Sequence, residues 1–187
     1  MEAIDLLLNR ESAVKLGSPG PSAAELDQIF AAAVRAPDHG RLRPWHFVVI
    51  DEPHRAAFGD LMAESMKRRE PQASADMLQR ERDKAFRAPC IVTVAAKVAR
   101  GHKIPEIEQI ASASAAAQTI ILAAPALGYG VVWKTGAPAY DSFVKTSLGL
   151  AADDEILGFL YIGKQIPGPA TPPRPEASNF VSHWSGG

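Results

Sequence analysis

Apolar positions recur along the chain with two periods. Leu26, Ile29, Phe30, Ala33 and Val34 fall at helical spacing, which predicts an amphipathic helix with one buried face. Ser22 and Glu25 open it with a capping-box pattern, the hydroxyl accepting an orphan N–H and the carboxylate reaching back. Pro37 disfavours helix before it, so this helix should end near Ala36. Ile4, Leu6, Leu7 and Leu8 suit a short helix over residues 2–9, and Pro19-Gly20-Pro21 makes a break. Largely apolar runs over His46–Ile50, Cys90–Ala96 and Ile156–Ile162 read as strands, the last ending at Gly163. Pro53 should begin a helix with Ala57, Leu61 and Met62 on its inner face. A long helix is expected from Pro105 to about Leu127. Its face of Ile107, Ile110, Ala111, Ser114 and Gln118, beside Ala113, Ala116 and Ala117, should allow close helix packing. Pro125 removes one backbone N–H and should kink or end that helix. Asp141–Leu148 reads as a further short helix.

Residues 64–87 are dense in Lys, Arg, Glu and Asp and are interrupted by Pro71. They read as two polar helices or a mobile excursion, most simply a solvated face. The resulting order is helix, helix, strand, helices, strand, long helix, strand, helix, strand. That is an α+β pattern with helices flanking one central sheet. There is no internal repeat and no dividing linker, so one domain over residues 1–187 is expected. Five prolines between Gln165 and Pro175 make the C-terminal tail extended.

A chain of 187 residues is long enough for a sizeable core. Its formal net charge of −1 offers no basic field for nucleic acid. The lone Cys90 excludes an internal disulfide and sits in an apolar run, as a core residue would. The Ala-rich stretch 110–128 holds Ser112, Ser114, Gln118 and Thr119, too polar for a membrane span. The N-terminus lacks a basic region and a cleavage site. A cytoplasmic protein without membrane or nucleic-acid partners is expected.

Three segments carry candidate chemistry. Gly128-Tyr129-Gly130-Val131-Val132-Trp133-Lys134-Thr135-Gly136 reads as a helix end, a short strand and a turn. Its glycines permit close backbone approach, and Trp133 beside Lys134 offers an aromatic face and a cation. Lys134 suits a phosphate, a ring edge or plain surface. Arg10 and Ser12 follow the first helix; a forked cation and a hydroxyl suit a phosphate, or else a surface cation and a cap. Arg35, Asp38 and His39 lie at a helix end, where Arg35 would also meet the helix dipole and Asp38 would make a turn. Asp38, His39 and His46 are rejected as metal ligands, because no cysteine or closely spaced histidine set supports them. No Gly-x-Gly-x-x-Gly fingerprint supports a nicotinamide-binding Rossmann unit.

In order and spacing, Asn9-Arg10-Glu11-Ser12, Arg35-Ala36-Pro37-Asp38-His39 with Pro44-Trp45, and the Trp133 segment resemble the nitroreductase family of flavin enzymes, most closely its short, YdjA-like members. The resemblance covers roughly residues 2–164. It implies a mainly antiparallel sheet flanked by helices, in a homodimer with FMN at the subunit interface. It also implies an NAD(P)H-dependent oxidoreductase working by ping-pong hydride transfer to a small acceptor such as a nitroaromatic or quinone. In such enzymes the flavin does the chemistry and no protein nucleophile is needed. Another flavin reaction on this fold, such as reductive dehalogenation or flavin breakdown, and a non-enzymatic FMN-binding or interaction module remain as alternatives.

Carried over residue by residue, the resemblance implies FMN contacts from Arg10, Glu11, Ser12, Arg35, His39, Trp133, Lys134 and Thr135. The family opens with Arg-Arg-Ser-x-Arg, whereas this chain has Glu11 and Val14 in two of those positions. Glu11 would repel a phosphate and is expected to offer only a backbone group, with Lys15 a candidate for the missing charge. Glu108 and Gln109, after His102-Lys103-x-Pro105, match a pattern of the same short subgroup, yet the spacing demands no particular chemistry.

Overall fold

The computed structural model describes residues 2–168 and 173–186. Seven helices and five strands are described: α1 (Ala3–Asn9), β1 (Lys15–Gly17), α2 (Ala23–Ala33), β2 (Trp45–Ile50), α3 (Arg55–Arg69), α4 (Ala75–Asp83), β3 (Cys90–Ala96), α5 (Glu106–Ala126), β4 (Gly130–Lys134), α6 (Ala137–Tyr140), α7 (Ser142–Ser147) and β5 (Glu155–Ile166).

All strand pairings are antiparallel, and β5 is the hub. It pairs with β3 over residues 155–162, with β4 over 159–163 and with β1 over 164–166, while β2 extends the sheet beyond β3. The strand therefore runs past Gly163 instead of ending there. Lys15–Gly17, which has no strand signature of its own, lies against Lys164–Ile166 and takes up their backbone groups. Gly163 is needed for close approach: a Cβ there would lie 2.7 Å from the Gly17 carbonyl oxygen and 2.7 Å from Pro89 Cδ.

Every residue of β3 is buried, because helices cover both faces of the sheet. On one face Ile91, Ala95, Phe159 and Tyr161 pack with Phe58 and Met62 of α3 and Val144 of α7. On the other, Val92, Val94, Leu160 and Ile162 pack with Ile29 of α2 and Ala117, Ile120 and Ala124 of α5. The inner face of α3 is Phe58, Met62 and Ala63; Ala57 points outward, one position off the buried stripe.

The Ser22–Glu25 capping box is present, with Ser22 N–H donating to Glu25 Oε2 at 2.8 Å. Tyr129 OH donates to the same oxygen at 2.9 Å, tying the start of α2 to the end of α5. These bonds, first those from Ser22, hold the Glu25 carboxyl below its ordinary value.

The long helix buries a different face from the one expected. Gln109, Ser112, Ala113, Ala116, Ala117, Ile120, Ile121 and Ala124 face the sheet and α2. Ile107 is 69% exposed, and Ala111 and Gln118 are exposed too. Small residues occur all round this helix, so its periodicity carries little contrast. By length and composition α5 would also cross a membrane, but here it packs against β3, β4 and β5. Pro125 does not end it. Helix continues to Ala126 and stops at a Schellman motif, with Gly128 at φ 82°, Gly128 N–H donating to Pro125 O at 2.9 Å and Tyr129 N–H to Ala124 O at 3.0 Å.

The charged stretch forms the end of α3, α4 and a 3₁₀ turn at Lys84–Phe86, seated on the protein by buried Ser65, Glu81 and Ala85. In the tail, Pro169 and Pro172 lie outside the described residues; Arg174 donates to the Arg10 carbonyl, and Phe180 and Trp184 are exposed.

Candidate functional site

A groove of about 630 Å³ opens between β1, the end of β4 and the turn after α4. Ser12, Val14, Lys15 and Leu16 form one wall, Val132 and Lys134 the floor, and Phe86 and Arg87 the other wall. Ala13 N–H donates to Val131 O at 2.9 Å, which fixes the Ser12 segment beside β4. No carboxylate forms an ion pair with Lys15, Arg87 or Lys134 among the described residues, so the groove presents three cations beside apolar walls.

Arg87 and Lys134 also line a second cavity of about 210 Å³. Its other walls are Met62, Met66, Arg69 and Glu70 of α3 and its end, Glu81 and Lys84, the Thr135–Pro138 turn, and Phe159 and Tyr161 of β5. Glu81 is buried; one carboxylate oxygen pairs with Lys84, while Oε2 has no hydrogen-bond partner among the described residues. Burial pushes the Tyr161 hydroxyl above its ordinary value, with Arg87 opposing and Glu81 adding to the rise. Part of the charged stretch 64–87 thus walls a cavity, and is more than a solvated face.

Arg10 opens into a neighbouring recess of about 150 Å³, with Leu6, Asn9, Pro125, Gly130 and Gln165. The Glu11 side chain is engaged by Gln165 Nε2 at 2.6 Å. Trp133 and Lys134 do not act at one place. Alternation along β4 sends them to opposite faces. The Trp133 ring packs on the α2–α5 side, where Nε1–H donates to Leu157 O at 3.0 Å, while Lys134 faces the groove. Thr135 is exposed at the second cavity.

Arg35 and His39 lie elsewhere. Both are exposed on the segment that follows α2, and His39 Nδ1 is paired with Glu108 in the first turn of α5. Arg10 borders Pro125 at the other end of the same helix. At the rise of an α-helix, Glu108 and Pro125 are about 25 Å apart. The Arg35–His39 turn is tightly built: Asp38 accepts from Arg43 N–H at 2.8 Å and Leu42 N–H at 3.2 Å, and Arg41 and Arg43 sit at φ 55° and 51°. Non-glycine residues in that region are uncommon.

Leu16, Phe86 and Arg87 are members of the groove that the residue pattern did not single out. Arg87 stands just after a run of like residues and carries no local signal; its neighbour Phe86, an aromatic within that charged run, was the available hint. Among the described residues no three His, Cys, Asp or Glu side chains converge on a metal position.

The model of the nitroreductase family matches residues 8–164. The chain is 36% identical over 185 residues to "Putative NAD(P)H nitroreductase YdjA" of Escherichia coli K12, covering 98% of this chain and 100% of that protein. The nitroreductase-like family protein of Bacillus cereus superimposes with a TM-score of 0.87 at 22% identity, over 100% of this chain and 97% of that one. A Bacteroides fragilis nitroreductase with bound FMN gives a TM-score of 0.72 at 17% identity, over 99% of this chain and 100% of that one.

Proposed function

The chain belongs to the nitroreductase family, and on that premise we propose that it is a cytoplasmic, single-domain, FMN-dependent NAD(P)H oxidoreductase that reduces a small organic acceptor such as a nitroaromatic or quinone. The observation that carries the proposal is the 630 Å³ groove, whose apolar walls adjoin Ser12 and three cations that pair with no carboxylate among the described residues. Those residues fit FMN: Val14, Leu16, Val132 and Phe86 suit a ring face, and the cations and hydroxyl suit its anionic parts.

When bound, FMN would supply the hydride-transfer chemistry between a nicotinamide and the acceptor. The chain's own work is to bind and orient. Arg87 and Lys134 set positive charge at the junction of groove and second cavity. Among the described residues β4 pairs with no strand other than β5, and its outer edge, where Val131 O already accepts from Ala13 N–H, would offer alternate N–H groups as donors. Met62, Met66, Phe159 and Pro138 make the second cavity apolar enough for an aromatic acceptor.

A homodimer is part of the proposal. Arg10 and His39 adjoin opposite ends of α5, at Pro125 and Glu108, too far apart for one flavin to reach both within a chain. Two chains related by a two-fold axis would each lend the Arg35–His39 turn to the other's groove. Exposed Ile107 on α5, Leu7 and Leu8 on α1, and Phe180 and Trp184 of the tail give an apolar surface for that contact.

The test is to denature purified protein, chromatograph the supernatant for FMN, and add NAD(P)H to the intact protein without air. Bleaching of a yellow protein is expected. A colourless protein that takes up no added FMN defeats the proposal.

A further inference from the structure

We propose that Glu108 is a positioning residue that fixes the imidazole of His39 so that Nε2 is the atom offered to the flavin. The inference rests on the reading that His39 faces FMN bound in the partner's groove. It gives a role to Glu108 and Gln109, whose spacing alone demanded none.

A carboxylate only accepts hydrogen bonds, so the Nδ1 it pairs with carries the proton. Nε2 is then the remaining ring nitrogen, and it has no partner among the described residues, while the side chain is 63% exposed. Glu108 is itself well placed to hold still. It lies in the first turn of α5, where the helix dipole favours an anion, and its N–H donates to Pro105 O at 3.0 Å.

The next residue fixes the bed beneath. Gln109 is only 2% exposed and makes three bonds to the 99–104 loop: Oε1 accepts from Ala99 N–H at 2.7 Å, and Nε2 donates to Ala99 O at 3.1 Å and Ile104 O at 3.0 Å. Ile104 in turn supports Gly40, where a Cβ would come within 3.1 Å of Ile104 Cγ1 at φ +74°. One turn of α5 therefore sets both the backbone beside His39, through Gln109 and Ile104, and the ring orientation, through Glu108. Without Glu108 the exposed ring is free to flip and to take either tautomer.

The experiment is FMN titration by flavin fluorescence on the full-length wild type and the Glu108→Ala, His39→Ala and double variants, with ¹⁵N NMR of the imidazoles. Glu108→Ala should weaken FMN binding about 3- to 10-fold, the range of one oriented hydrogen bond. It should cost nothing further in the His39→Ala background, and it should move the His39 nitrogen signals away from the Nδ1–H form. A purely structural role would lower affinity equally in both backgrounds, and that result overturns the proposal. So does a His39→Ala protein that binds FMN as well as wild type, with the flavoprotein reading left standing. Wild type that takes up no FMN overturns both.

Discussion

The indole N–H of Trp133 donates to the carbonyl oxygen of Leu157 across 3.0 Å, and the ring occupies the space left by the missing side chain of Gly158. The pairing of β3 with β5 slips between Val94 and Ala95, and Leu157 is the extra residue on β5. Such a bulge re-aims its backbone groups, here turning a carbonyl towards the ring. A Cβ at Gly158 would stand 2.1 Å from Trp133 Nε1. Gly158→Ala should therefore cost about 1–3 kcal/mol through overpacking, read as a lowered urea midpoint. It should also change Trp133 fluorescence in the folded state.

Arg87→Ala should weaken FMN binding about 10- to 100-fold, since a charge-assisted hydrogen bond contributes roughly 1.5–3 kcal/mol. Arg87 is exposed and pairs with no carboxylate among the described residues, so the melting temperature should hardly change. Arg10→Ala should behave alike. Fluorescence titration reads both, and undiminished affinity would return the residue to the role of a surface cation.

Arg10→Ala and His39→Ala proteins should complement each other. If each site takes Arg10 from one chain and His39 from the other, co-expression at equal levels restores about a quarter of sites, the statistical share in a two-fold dimer. Flavin content of the mixed protein against each variant alone measures this. Sedimentation should show a dimer, and a 20.0 kDa monomer that retains FMN would contradict the arrangement.

Burial, reinforced by the Asp51 carboxylate, pushes the Cys90 thiol from an ordinary 9.0 up to about 11. The folded chain thus disfavours the thiolate, and the unfolded chain loses this proton first as pH rises. The resulting stability is full below about pH 9 and is lost towards pH 11. The urea midpoint of wild type should fall more steeply over that window than that of Cys90→Ala. Thiol reagents should label Cys90 slowly until denaturant is added.

Met66→Trp should fill much of the 210 Å³ cavity and reorder the ranking of quinone and nitroaromatic acceptors, with FMN affinity little changed. Steady-state rates with an acceptor panel check it. A uniform loss across all acceptors would mean that the cavity is not where they bind.

Local signals in the sequence were read correctly where the structure is local. The Ser22–Glu25 box, β3 and the short helix after Asp141 each follow from a few neighbouring residues. What depends on distant partners was not legible. Lys15–Gly17 is a strand only because Lys164–Ile166 lies beside it. The outward placement of Ile107 and Ala111 reflects a helix with alanine on every side, where period and burial separate poorly. Arg87 joins the groove through β1 and β4, which no spacing near Arg87 encodes. The separation of His39 from Arg10 is a property of α5 as a rigid rod, visible once both ends were placed.

The dependence of the sheet on β5 also sets the order in which a nascent chain can fold. Until residues 155–166 have left the ribosome, β2 and β3 can pair, but β1 and β4 have no edge to join. The groove walls at Ser12 and Lys134 are therefore assembled after synthesis has passed the last strand, by contacts of long sequence separation that close slowly. During that interval the apolar β3 is covered on one edge only, and this is the stage at which the protein most needs a chaperone or a low concentration of its own kind.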